Sequence, residues 1–158
     1  DSIELDELRQ PIFVEARRLL PDTEGAGRTR GAPSAYAAFG PTTERMCVAY
    51  VSDGGRNPAQ GTRGGGPGGP SWQRKRQADG SEQPLANCAE VWLEPGELIV
   101  SASCGGGGYG DPRTRPVEHV LHDLAEGWIT AARAQAVYGV ALHPDGTLDE
   151  TTTAQLRR

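Results

Sequence analysis

The chain is poor in the residues that usually build a large core. Aromatics make up 6% of its 158 residues, hydrophobic residues together 36%, and methionine occurs once. No run approaches the roughly 20 consecutive apolar residues of a membrane-spanning helix. No charged, apolar and small-residue succession of a secretory leader opens the chain either, so a cytoplasmic protein without a membrane partner is expected. Cysteine is scarce and odd in number. Cys47, Cys88 and Cys104 are too widely spaced for a CxxC metal knuckle and do not make an even disulfide framework, so they read as free thiols. Positive charge is also in short supply: 16 basic residues, Lys75 the only lysine among them, face 21 acidic ones for a net charge of −5. The single dense basic triplet, Arg74-Lys75-Arg76, reads as a solvated loop. Phosphate-backbone binding needs a basic stripe, so no nucleic-acid partner is expected.

What the chain has in quantity is glycine, 22 residues, and proline, 12. Glycine loses more backbone freedom on ordering than any other residue, so loops this rich in it stay mobile or are ordered by packing on something larger. The length suits one domain with one core, and the composition predicts a partner. The glycines cluster in three places: Asp22-Thr23-Glu24-Gly25-Ala26-Gly27-Arg28-Thr29-Arg30-Gly31, Gly64-Gly65-Gly66-Pro67-Gly68-Gly69, and Ser103-Cys104-Gly105-Gly106-Gly107-Gly108-Tyr109-Gly110-Asp111-Pro112.

Between these clusters the hydrophobic rhythm gives the elements. Alternation over residues 11–20, a small apolar run at 34–39 and a segment at 44–51 bounded by Gly40-Pro41 and Ser52-Asp53-Gly54-Gly55 predict three strands. From Asp53 to about Pro84 no periodicity is visible, which predicts a long loop. Residues 89–93 and 97–102 flank Glu94-Pro95-Gly96 and predict a hairpin. After Pro112 the period changes. Val117, Val120, Leu121 and Leu124 stand at helical spacing, with Pro116 in the first turn and Gly127 beyond the end. Thr130 caps a second helix through Tyr138, closed by Gly139, and Asp149 caps a third running toward Arg157. The expected class is α+β: an antiparallel, β-rich first two-thirds with long Gly-rich loops (1–112), then a small C-terminal helical segment of the same domain (113–158).

The amides of Gly64, Gly65, Gly66, Gly105, Gly106, Gly107, Gly108 and Tyr109 are candidates for cradling an anion or a developing oxyanion. The alternative is a tight crossing of backbones. No Gly-Lys-Ser/Thr follows, so this is not a Walker A loop, and no βαβ dinucleotide unit surrounds it. Arg28 and Arg30 either present two guanidiniums to an anion or pair with Asp22 and Glu24 in a surface turn. Cys104 abuts the glycines as a candidate nucleophile with amides to steady a tetrahedral intermediate, although no histidine is placed in sequence as its base. Asp111 is a further candidate in the same motif. His119 and His122, with Glu118 and Asp123, suggest either a metal pair or a solvated helix face. The apolar positions of that helix leave His122 and Asp123 outside and favour the solvated face. Trp92, Trp128 and Tyr138 are expected in the core.

The first cluster resembles the "DSGGAGRYRGG" segment of the hydantoinase B / 5-oxoprolinase family. Residues 103–112 resemble its "GGGGYGDP" signature, and Glu126-Gly127-Trp128-Ile129-Thr130 through Val137-Tyr138-Gly139-Val140 its closing "DGLVSxEAAxxxYGV". The resemblance covers nearly the whole chain but about the last third of a family member, so the chain, which starts at Asp1, reads as a fragment or a small subunit of a larger B-type protein. It implies a hetero-oligomeric enzyme whose hydantoinase A-type subunit binds ATP and Mg and phosphorylates the oxygen of a cyclic amide or ketone. The B-type protein takes that intermediate to hydrolysis, or to carboxylation in the acetone and acetophenone carboxylases. Any metal would lie in the remaining B-type portion, this chain would carry no cofactor, and alone it would be inactive. A phosphate on the small-molecule substrate would give the glycines and Arg28 an electrostatic purpose. Three departures stand out: Ala86-Asn87-Cys88 where relatives have "PSK", Cys104 before the glycines, and the altered surroundings of Gly64-Gly65-Gly66.

Overall fold

A computed structural model describes residues 2–158. The class is α+β. A short helix α1 (Ile3–Arg9) precedes seven strands, β1 (Ile12–Leu19), β2 (Ala35–Pro41), β3 (Met46–Val51), β4 (Trp72–Arg76), β5 (Glu82–Pro84), β6 (Cys88–Leu93) and β7 (Leu98–Ala102). Helices α2 (Val117–Ala125), α3 (Ala131–Tyr138) and α4 (Glu150–Leu156) end the chain. The strands form a five-stranded antiparallel sheet in the order β1-β2-β7-β4-β5 and a separate β3-β6 ribbon.

The hairpin expected at Glu94-Pro95-Gly96 does not form. The chain does turn there, with Glu97 N donating to Glu94 O at 2.9 Å and Gly96 at φ 92°. Its two arms then part, β6 to pair with β3 and β7 to run between β2 and β4. Ile99, Val100 and Ala102 of β7 are all buried, as suits a strand in the middle of a sheet. A turn signal reports that the chain reverses, and burial decides what each arm pairs with.

The stretch from Asp53 to Pro84 is not structureless either, since it supplies β4 and β5. The basic triplet expected in a loop is part of β4, and each charge has a partner: Arg74 with Glu82 at 3.1 Å, Lys75 with Glu97 at 2.7 Å, and Arg76 with Glu15 at 2.7 Å and Glu82 at 3.1 Å. Glu15 sits where a register shift interrupts β1 between Val14 and Ala16, and such bulges re-aim a side chain. Trp92, expected in the core, is 47% exposed on β6 beneath the Arg45 guanidinium, 4.5 Å from its ring centre.

The helical end follows the sequence closely. Thr130 Oγ1 accepts from Arg133 N and Asp149 Oδ1 from Thr152 N, as N-cap residues do. Gly127 and Gly139 close α2 and α3 at φ 67° and 68°, the left-handed region where a side chain is strained. One core joins Val120, Ile129, Ala134, Tyr138 and Val140 across these helices. A second lies on the sheet under Tyr36, Ala38 and Val100. Among the described residues no helix is long and apolar enough to cross a membrane.

Candidate functional site

The three glycine clusters come together. Residues 23–32, 59–69 and 104–110 run side by side and bond to one another in every pairing. Gly25 N donates to Gly106 O at 2.8 Å, Gly66 N to Ala26 O at 2.7 Å, Gly108 N to Gly66 O at 2.9 Å, and Gly105 N to Gly69 O at 2.9 Å. Gly106 N reaches Ala32 O at 2.8 Å, Gly65 N Thr62 O at 3.0 Å, and Tyr109 N Thr29 O at 2.8 Å. The amides of Gly65, Gly66, Gly105, Gly106, Gly108 and Tyr109 are therefore engaged with carbonyls of the fold. Those of Gly64 and Gly107 have no backbone acceptor among the described residues. Segments meet this closely because nothing projects between them, as at the crowded axis of a collagen triple helix. Ala26 sends its methyl group into the helical core and ties the bundle to α2 and α3.

Two buried carboxylates hold the first cluster against the helices. Glu24, 1% exposed, accepts from Arg133 Nε at 2.7 Å and Tyr138 Oη at 2.8 Å, while Arg133 Nη2 donates to the Glu24 carbonyl. Burial, and then the Glu24 charge, push the Tyr138 phenol well above its ordinary value, so it stays a donor. Removing that donor by Tyr138→Phe leaves a buried carboxylate short of a partner and is expected to cost about 1.5–3 kcal/mol, measured as a lower denaturant midpoint. Asp22 instead takes the Thr130 amide and hydroxyl at 2.7 and 2.8 Å.

The second carboxylate is Asp123, also 1% exposed. Its expected place on the outer face of α2 is overturned: it faces inward between Arg30 and Arg115. Arg115 Nη2 donates to Oδ2 at 2.9 Å. Arg30 Nε lies 3.0 Å from Oδ1 but off the hydrogen-bonding direction, so this contact is an ion pair without a formed hydrogen bond. The Arg30 guanidinium also covers the Trp128 ring, 4.6 Å from its centre. Two residues away, Arg28 points outward, and among the described residues its guanidinium has no hydrogen bond or ion pair. The two arginines of the motif thus separate, one into the interior and one to the surface, and neither pairs with Asp22 or Glu24.

The remaining candidates are spread out. Cys104 Sγ donates to Gly105 O at 3.3 Å and accepts from Ala59 N at 3.4 Å. Asp111 Oδ1 caps the turn at Pro112–Thr114 by accepting from Arg113 N at 2.9 Å. His122 stands edge-on to Trp128 with ring centres 5.5 Å apart. His119 lines an open pocket of about 430 Å³ with Arg28, Thr29, Thr114, Arg115 and Pro116. Among the described residues no three His, Cys, Asp or Glu side chains gather as a metal site. The sequence reading missed Arg115 and Arg133. It also misplaced Asp123, although Asp123 follows Val120 by one turn and therefore borders the apolar stripe of α2.

The sequence and the fold both match known proteins. The beta subunit of caprolactamase from Pseudomonas jessenii is 33% identical over 156 residues, 96% of this chain and 27% of the relative. The crystal structure of the ATP-dependent caprolactamase from the same organism superposes with a TM-score of 0.81 at 28% identity, over 99% of this chain and 28% of that one. An acetone carboxylase structure, 20% identical, shares the fold with a TM-score of 0.79 over 99% of this chain and 26% of its own. The chain thus spans little more than a quarter of the length of these relatives. The family model for hydantoinase B/oxoprolinase matches residues 1–112, which hold all three glycine clusters, and the chain belongs to that family.

Proposed function

We propose that this chain is part of the B-type component of an ATP-dependent complex that opens cyclic amides. The observation that carries the reading is the 33% identity to a caprolactamase subunit across 96% of the chain. In the proposed reaction a hydantoinase A-type partner holding ATP and Mg transfers the γ-phosphoryl group to the lactam oxygen, releasing ADP. One water then adds at the activated ring carbon and the C–N bond breaks, leaving the open chain as an acyl phosphate with a free amine, and a second water hydrolyses that acyl phosphate to orthophosphate and the amino acid. The remaining B-type portion, with any metal it carries, completes the reaction chamber.

Within that complex the glycine bundle is read as a rigid base that sets Arg28, Arg30 and the start of α2 in fixed positions. Its engaged amides favour this over direct anion contact by Gly65, Gly66, Gly105, Gly106, Gly108 and Tyr109. Gly64 and Gly107 keep amides available for a ligand. Cys104 as nucleophile is disfavoured because its Sγ already spans Ala59 N and Gly105 O. Asp111 is read as a turn residue. A ketone carboxylase of the acetone carboxylase type is the second reading, favoured by the shared fold.

The natively purified complex tests both. ADP release that rises on adding a lactam or hydantoin supports ring opening, whereas release that rises only with a ketone plus bicarbonate replaces it with carboxylation.

A further inference from the structure

We propose that the pocket bounded by Arg28, Thr29, Arg115, Pro116 and His119 is an anion subsite that holds a phosphoryl group. The source of that group rests on the reading above, and the subsite itself rests on geometry. Two of the sequence motifs meet at this pocket, since Arg28 N donates to Gly110 O at 3.2 Å and Arg115 Nη1 to Arg28 O at 3.2 Å. No acidic side chain lines the space of about 430 Å³. Glu118, in the first turn of α2, is exposed and lies outside the lining.

Three observations point to an anion. The Arg28 guanidinium is exposed and has no partner among the described residues. Arg115 is more than nine-tenths buried at the pocket wall, and its Nε has no acceptor. One carboxylate, Asp123, serves both Arg30 and Arg115, so the buried cluster keeps one uncompensated positive charge. Arg28 adds a second. The start of α2 adds partial charge of the same sign: Pro116 gives no side-chain cap, and the Val117 and Glu118 amides have no acceptor among the described residues. With the Arg157 guanidinium also bonded to the Arg115 carbonyl and paired with no carboxylate among the described residues, at least two net positive charges and unfilled donors meet here, which suits a phosphoryl dianion better than a singly charged carboxylate. A phosphorylated intermediate and released orthophosphate share this chemistry.

The test uses the natively purified complex with its nucleotide site filled by a non-hydrolysable ATP analogue, titrated with inorganic phosphate and followed by ³¹P NMR. Saturable binding is expected, weakened about tenfold in Arg28→Gln, which equals about 1.4 kcal/mol, and weakened more mildly in His119→Asn. Both side chains are exposed, and an unchanged unfolding midpoint confirms that the variants fold. If Arg28→Gln fails to fold, His119→Asn carries the test. No saturable binding, or equal binding in wild type and both variants, overturns the subsite. Under turnover, a fall in kcat in Arg28→Gln assigns the pocket to the reacting phosphoryl group, and relief of product inhibition at unchanged kcat assigns it to orthophosphate. Arg28-dependent phosphate binding without lactam-dependent ATP turnover overturns the substrate reading and leaves the subsite standing. Turnover with phosphate binding indifferent to Arg28 and His119 does the reverse.

Discussion

Gly65→Ala is expected to destabilise the native fold severely while its neighbour Gly66→Ala leaves it intact. A Cβ on Gly65 would run into the Gly108 carbonyl and come within 2.7 Å of Tyr109 N, all backbone atoms. Those atoms have no freedom to retreat, because Gly108 N is bonded to Gly66 O, Thr62 N to Gly108 O, and Tyr109 N to Thr29 O. Relief requires breaking several of these hydrogen bonds at once, so the cost is expected to exceed about 4 kcal/mol, beyond ordinary overpacking and within the rare severe class. A domain of this size has about 5–15 kcal/mol in total. A Cβ on Gly66 meets only Ala26, at 3.6 Å or more, which is ordinary contact. Gly31→Ala belongs with Gly65→Ala, since its Cβ would collide with the Gly106 carbonyl and lie 2.9 Å from Gly106 Cα. Circular dichroism melts and co-purification with the proposed A-type partner measure the contrast. A Gly65→Ala protein that melts at the wild-type temperature would refute the close packing of the three segments.

The same bundle marks where the sequence stopped being legible. Strands β1, β2 and β3 and helices α2, α3 and α4 emerge from local signals: side-chain alternation, the 117/120/121/124 stripe, Thr130 and Asp149 as caps, Gly127 and Gly139 as stops. Such signals lie within a few residues of the element they define. A glycine segment has no side chains to show a period, so the ordered 59–69 stretch is indistinguishable from loop. Strand β4 hides for another reason. Its Gln73-Arg74-Lys75-Arg76 run looks solvated until Glu15, Glu82 and Glu97 arrive from three other parts of the chain. The site divides in the same way. The motifs mark Arg28, Arg30 and the glycines by position, but Glu24 and Arg133 lie 109 residues apart, and nothing local announces that pair. Helix α1, whose apolar positions are few and largely exposed, left no clear signal either.

Asp123→Ala carries the second large expected effect. The carboxylate is 1% exposed and is the counter-ion for two guanidiniums whose side chains are 16% and 10% exposed. Removing one partner of a buried ion pair typically costs about 3–5 kcal/mol, because the charge left behind keeps its desolvation penalty. Here two are left behind, Arg30 over Trp128 and Arg115 beneath Arg28, so the upper part of that range is expected. Asp123→Asn keeps the shape and an acceptor oxygen but not the charge, and should recover only a minority of the loss. The reciprocal change is informative: Arg30→Met removes one cation, leaves the Arg115–Asp123 bond in place, and should cost clearly less than Asp123→Ala. Urea titrations of the three variants order them. The ranking Asp123→Ala, then Asp123→Asn, then Arg30→Met, from most to least destabilised, is the signature of a cluster with more positive than negative charge. If Arg30→Met proves as damaging as Asp123→Ala, the cluster is balanced by a group elsewhere, and the excess charge assigned to the neighbouring pocket disappears with it.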